Sequence, residues 1–159
     1  MSLDYITSYW NQFVNSLDRN SSPSLELSGS FHFGDKEDAS SIAELVKAGI
    51  KTATGSLLWV YEAEGNPIPS AGEYNIITDS NDIPVCIIQT KGLSVIPFNG
   101  VGSQFAFDSG EGDRSLESWR EIYWEYIQSE CKRINRGPTP ETPLVCEYFT
   151  AVYAEPFQY

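Results

Sequence analysis

Histidine, cysteine and positive charge are all scarce in this chain. The one histidine, His32, has no motif link to any nucleophile. The three cysteines, Cys86, Cys131 and Cys146, are scattered and form no Cys-x-x-Cys pair, so they read as reduced, mostly buried thiols. A nucleophilic cysteine needs a neighbouring base, and none is indicated, so cysteine catalysis is set aside. Only 10 Lys and Arg stand against 22 Asp and Glu, for a formal charge of -12. Tight non-specific binding to a nucleic-acid backbone needs many cations to displace counterions, so any such contact here must be local. No apolar run is long enough to span a bilayer. The opening Met1-Ser2-Leu3-Asp4-Tyr5 has neither a basic region nor a long apolar stretch, which argues against a signal peptide and for a cytoplasmic location.

What is present fits one domain over residues 1–159, with 41% hydrophobic residues to fill a core. Ile6, Trp10, Phe13, Val14 and Leu17 make one apolar stripe, predicting a helix at about 4–18. Residues 18–23 read as a loop, Leu25-Glu26-Leu27 as a weak strand, and Phe31 to Asp35 as a turn. Asp38 to Ala48 predicts a second helix with Ile42, Leu45 and Val46 inward, and Gly49 suits a left-handed cap after it. Strands are predicted at Leu57–Tyr61, Tyr74–Thr78, Val85–Thr90 and Leu93–Ile96, with Asp79–Asp82 as a hairpin turn. Val101 to Phe107 is a short helix or irregular. Ser115 to Arg136 predicts the third long helix, capped by Asp113 or Ser115 and stopped by Gly137-Pro138. Leu144 to Tyr153 reads as a final strand. Helices that precede, interrupt and follow strands without βαβ alternation favour an α+β fold with an antiparallel or mixed sheet or barrel.

Two segments carry the chemistry. Gly49-Ile50-Lys51-Thr52-Ala53-Thr54-Gly55-Ser56 follows the second helix, and Gly110-Glu111-Gly112-Asp113-Arg114-Ser115 precedes the third. Both set charged and hydroxyl groups beside glycines at element ends, where a ligand can come close. A threonine hydroxyl attacks an acyl carbon only if a neighbour takes its proton, and a desolvated lysine can do so. Residues three apart in a regular strand face opposite sides, so Lys51 and Thr54 meet only across a turn or bulge. Glu111 and Asp113 serve either as helix-terminal carboxylates or as pocket acids, with oxygen ligation of a divalent cation as an alternative to an expected absence of cofactor and metal. Arg114 and Arg120 are candidate phosphate contacts. Lys132, Arg133 and Arg136 complement the helix dipole. Trp59 and Trp119 are core residues with base stacking as the alternative.

These segments resemble the ASCH-domain family, a branch of the PUA-like superfamily. The likeness rests on the Gly-x-Lys-x-x-Thr pattern of Gly49-Ile50-Lys51-Thr52-Ala53-Thr54 and on Glu111-Gly112-Asp113-Arg114-Ser115-Leu116-Glu117. It extends through Phe33-Gly34-Asp35, Leu57-Leu58-Trp59, Pro84 to Ile88, Pro97-Phe98, Trp119-Arg120 and Cys146-Glu147, a core of about residues 31–153. The resemblance implies a PUA-like β-barrel flanked by about three long helices, opening onto a cleft that binds RNA. It also implies that some members act as ribonucleases, and that a smaller branch removes the acetyl group from acetylated cytidine. That branch would make Lys51 the base-like lysine, Thr54 the nucleophile and Glu111 the carboxylate, with Asp113 a close rival.

Two positions depart from the pattern. Ser56 stands where many members carry an arginine, and Tyr123 where longer relatives carry a histidine. The first removes a forked donor, the second a proton shuttle near neutral pH. The expected site is therefore Lys51, Thr54 and Glu111 as catalytic groups, with Thr52, Ser56, Asp113, Arg114, Ser115 and Arg120 contacting ligand. The expected partner is RNA or a nucleoside or nucleotide, with no membrane; oligomeric state is open. The readings are an RNA- or nucleoside-binding domain with possible RNA cleavage, an amidohydrolase acting on a nucleoside such as acetylcytidine, and a non-catalytic protein-interaction domain.

Overall fold

A computed structural model describes residues 2–18 and 25–159. The expected loop at 18–23 falls, from residue 19 on, outside the described residues. In chain order the elements are α1 (Ser2–Ser16), β1 (Leu27–Phe31), α2 (Ala39–Lys47), β2 (Ala53–Leu57), α3 (Leu58–Glu64), β3 (Tyr74–Thr78), β4 (Pro84–Pro97), a 3-10 turn (Phe98–Gly100), α4 (Ser103–Ser109), α5 (Leu116–Arg133) and β5 (Pro143–Tyr153). The strands hydrogen-bond in the order β1-β3-β4-β5-β2. The chain divides into two compact units, residues 1–49, 72–89 and 150–159 in one, and 50–71 and 90–149 in the other.

In the first unit, β3 and the start of β4 form the expected antiparallel hairpin, running from Tyr74↔Gln89 to Thr78↔Pro84. Strand β1 adds to β3 in parallel. The α1 stripe buries Tyr9 and Phe13 with Ile76 and Ile87. The Tyr9 hydroxyl reaches the carbonyls of Glu155 at 2.7 Å and Val85 at 3.1 Å, so its polar end is satisfied inside the core. Helix α2 ends as read: Gly49 follows Ala48 with φ +75 and donates its N–H to the Val46 carbonyl.

In the second unit, β2 pairs antiparallel with β5, from Ala53↔Tyr148 to Leu57↔Leu144. Ala53, Leu57, Leu144 and Cys146 pack with Trp119, Tyr123, Ile127 and Cys131 of α5. The Trp119 ring stacks on Tyr123 at 4.6 Å and on Phe98 at 5.5 Å. These positions on α5 recur every three or four residues, which is why one face of an otherwise polar helix is buried. Trp119 is thereby a core residue.

Three expectations need correction. The strands form an open five-stranded mixed sheet rather than a closed barrel, because β1 and β2 remain as edges with one ladder neighbour each. Five α-helices are present among the described residues rather than about three. Beyond the three long ones stand α4, where Val101 to Phe107 read as a short helix or irregular, and α3, which takes most of the segment read as a strand at Leu57–Tyr61. Tertiary pairing explains that override of β-propensity. Glu62 and Glu64 of α3 meet Arg136 and Arg133 at 3.7 and 3.1 Å, and the Arg136 guanidinium lies 3.7 Å from the Trp59 ring centroid. Those basic residues therefore tie α3 down as well as complementing a dipole. Helix α5 also stops earlier than read: Ile134 caps it and Asn135 turns left-handed at φ +61, two residues before Gly137.

Candidate active site

Lys51 lies in the stretch between α2 and β2, and its side chain is held at 1% exposure. Charged side chains are this deeply buried only when paired. Its Nζ donates to the carbonyls of Ala53 at 2.9 Å and Ser109 at 3.2 Å, and to Glu111 Oε2 at 2.9 Å. The Tyr123 hydroxyl stands 3.4 Å from both Nζ and Glu111 Oε2.

Glycine makes this approach possible. Gly110 follows α4 at φ +73, and a Cβ there would sit 2.7 Å from the Ile50 carbonyl oxygen and 2.8 Å from Lys51 Cα. Main chain therefore touches main chain, which brings the Ser109 carbonyl and the Glu111 side chain onto Nζ. The contact is reinforced by the Thr52 N–H, which donates to the Asp108 carbonyl at 2.7 Å.

Burial pushes the Lys51 amine down, but the Tyr123 hydroxyl and the Glu111 carboxylate, by charge and by hydrogen bonding, outweigh it and hold the amine above its ordinary value of 10.5. It is an ammonium near neutral pH. Its donors are directed at the carbonyls of Ala53 and Ser109 and at the Glu111 carboxylate. Glu111 keeps 19% exposure and is bonded to Lys51 and Tyr123 through Oε2.

Thr54 is placed differently. Its neighbours Ala53 and Leu57 belong to the core cluster beneath α5, and a Cβ on Gly55 would meet the Tyr123 ring at 3.3 Å. Residues 53, 55 and 57 therefore face α5, and alternation turns Thr54 and Ser56 to the opposite face of β2. Lys51 and Glu111 are brought together; Thr54 is bonded to neither. Across the ladder it stands opposite Glu147, a residue that sequence reasoning left out of the site. The signal was an acid in an otherwise apolar β5 run, Leu144-Val145-Cys146-Glu147. Tyr123, weighed only as a replaced histidine, was the other omission.

Three of the remaining candidates, Asp113, Arg114 and Ser115, hold the loop before α5. Asp113 Oδ1 accepts from the Ser115 N–H at 2.8 Å, and this bonding at Ser115 keeps the carboxyl below the usual range. The Ser115 hydroxyl accepts from the Ser118 N–H at 3.1 Å and caps α5. Arg114 adopts φ +68 and is fastened by bonds from Nε to the Phe107 carbonyl at 2.9 Å and from Nη2 to the Ile50 carbonyl at 3.3 Å, over the Phe107 ring. Thr52 Oγ1 lies 3.4 Å from the Asp108 carbonyl. Arg120 is exposed on α5 and Ser56 half-buried on β2. Glu111 and Asp113 are engaged separately, and among the described residues no group of three or more His, Cys, Asp or Glu could hold a metal.

An ion pair buried beside an open mixed sheet defines an α-plus-β domain with a charged centre between β2, α4 and α5. The family model of the ASCH domain matches residues 29–153, and the chain belongs to that family. Two solved structures are similar over nearly all of it. The ASCH domain from Lactobacillus crispatus JV V101 shares 29% identity over 94% of this chain and 95% of that one, with a TM-score of 0.89. A protein of Enterococcus faecalis V583 shares 30% identity over 96% of this chain and 90% of that one, with a TM-score of 0.84. A search among curated proteins finds no match.

Proposed function

We propose that this ASCH domain binds RNA or a nucleoside at the Lys51–Glu111 centre. The observation that carries the reading is a carboxylate held by a buried ammonium at 2.9 Å while keeping 19% exposure. Such an acceptor suits the amino edge of a base, as when Glu accepts from cytosine N4. Membership of a family generally regarded as RNA-binding supports it. The charge of -12 is consistent with recognition of a base rather than with many phosphate contacts. We treat residues 1–159 as one domain and its location as cytoplasmic, in keeping with three free thiols. No described helix is long and apolar enough to cross a membrane.

A second, hydrolytic reading is favoured by Thr54. Its hydroxyl has no hydrogen-bond partner among the described residues and retains 9% exposure. That suits a nucleophile for an acyl group carried on a nucleoside, as in acetylcytidine.

Calorimetric titration with single-stranded RNA and with cytidine and acetylcytidine tests the binding reading. Binding that Glu111→Gln weakens supports it. Absence of binding to any of these ligands contradicts it.

A further inference from the structure

Arg114 is a cation fixed beside the Lys51–Glu111 centre and not neutralised there. Its Nε and Nη2 donate to the carbonyls of Phe107 and Ile50, at 2.9 and 3.3 Å, and its guanidinium lies 3.6 Å from the Phe107 ring centroid. Among the described residues no carboxylate pairs with it, in a chain of 22 acids and 10 bases, and the hydrogens of Nη1 have no partner. Its backbone sits at φ +68. Such strain persists only where the surroundings impose it, and it clusters at ligand clamps. Phe107 is 49% exposed, so the pair stands at the surface. The Arg114 N–H donates to the Glu111 carbonyl at 3.2 Å. Nη2 bonds the same Ile50 carbonyl against which Gly110 packs, one residue before Lys51. The cation thus shares a loop with the carboxylate.

We propose that Arg114, positioned by Phe107, binds the phosphate of a nucleotide whose base sits at Glu111, so that the site takes phosphorylated nucleotides in preference to free nucleosides. This rests on the base-binding reading above. Lys51 does not supply the phosphate contact, because its amine is directed at the Glu111 carboxylate and two carbonyls.

A planar guanidinium offers paired N–H donors to two phosphate oxygens, where an ammonium offers only a point charge. The two carbonyl bonds and the Phe107 ring already order the Arg114 side chain, so little rotamer freedom is left to lose on binding. Phe107 is a positioning residue, since it acts by holding the guanidinium. The formal charge of -12 repels phosphate over the molecule as a whole, which makes the preference depend on a local cation. The role is binding alone, and no covalent bond changes.

The test is calorimetric titration of the full chain at low salt with cytidine, cytidine 3′-monophosphate and cytidine 5′-monophosphate. One hydrogen-bonded contact to a charged group is worth about tenfold, so the better monophosphate should bind at least about tenfold more tightly than cytidine. Arg114→Gln should cut that preference to about threefold or less while cytidine affinity stays within about threefold, and Phe107→Ala should cut it in the same direction. Lys132→Gln, which removes the same charge in the last turn of α5, should leave it unchanged. Equal binding of cytidine and both monophosphates, or a preference that survives Arg114→Gln, would overturn the inference and leave the base-binding reading standing. A preference lost equally in Lys132→Gln would trace it to net charge and overturn the inference as well. A wild type that binds neither cytidine nor a monophosphate would overturn both. If Arg114→Gln fails to fold by circular dichroism, Arg114→Lys keeps the charge without the fork. A preference cut by about threefold or more then supports the inference, and an unchanged one overturns it.

Discussion

Lys51 Nζ and Glu111 Oε2 meet at 2.9 Å although the residues are 60 apart in sequence. The pair closes the second unit around its own core, because one partner is fully buried and the other sits on a loop held by Gly110. Breaking such a pair strands a buried charge at a cost of about 3 kcal/mol, whereas removing both charges does not. Lys51→Met and Glu111→Gln should each destabilise the protein by about 2–4 kcal/mol. The double variant should lose at least about 1 kcal/mol less than the sum. Urea unfolding of the four proteins completes the cycle; strict additivity would contradict the pairing.

The raised amine makes stability depend on alkaline pH. A lysine whose folded value lies above its unfolded value of 10.5 contributes fully below that value, and the contribution is lost as pH rises through the folded value. Wild-type unfolding free energy should therefore fall more steeply above about pH 10.5 than that of Lys51→Met. Parallel slopes in urea titrations would show that the amine is not stabilised in the fold.

The thiols act in the same direction from a lower pH. Burial pushes Cys86 up to about 12 and Cys146 up to about 11 from an ordinary 9.0. The unfolded chain thus releases these protons first, and stability declines above about pH 9. A disulfide reagent at pH 8 should leave all three cysteines unmodified in the native protein and modify them in denaturant. Rapid native labelling would contradict their burial.

Two glycines with almost the same backbone should respond differently to alanine. Gly49, at φ +75, has nothing near its missing Cβ, so Gly49→Ala should cost about 1 kcal/mol of left-handed strain. Gly110, at φ +73, abuts the Ile50 carbonyl at 2.7 Å, so Gly110→Ala should cost more than about 2 kcal/mol, since backbone must also move. Thermal melts of both variants check the order, and equal shifts would remove Gly110 from its role in seating Glu111.

Local pattern made much of this fold legible. The α1 stripe, the hairpin of β3 and β4, the Gly49 cap and the Ser115 cap all depend on neighbours close in sequence. The elements that were misread depend on distant ones. Trp59 and Val60 read as strand until Arg133 and Arg136 are seen to hold α3. The open sheet follows from which strands lack a second neighbour, which no run of residues encodes. The site divides in the same way. Lys51 and Glu111 stood in motifs, and their pairing follows from a main-chain contact at Gly110. Thr54 stood in the same motif as Lys51, yet strand alternation turns it to the opposite face of β2, across the ladder from Glu147 once β5 is paired with β2.

Titration of wild type and Glu111→Gln with cytidine and with single-stranded RNA at low salt tests the central claim most directly. The Lys51–Glu111 centre as a base-binding site predicts saturable binding by wild type and a loss of at least about tenfold in Glu111→Gln, corresponding to one good acceptor contact. Equal affinity of the two folded proteins, or no binding by wild type, would contradict it.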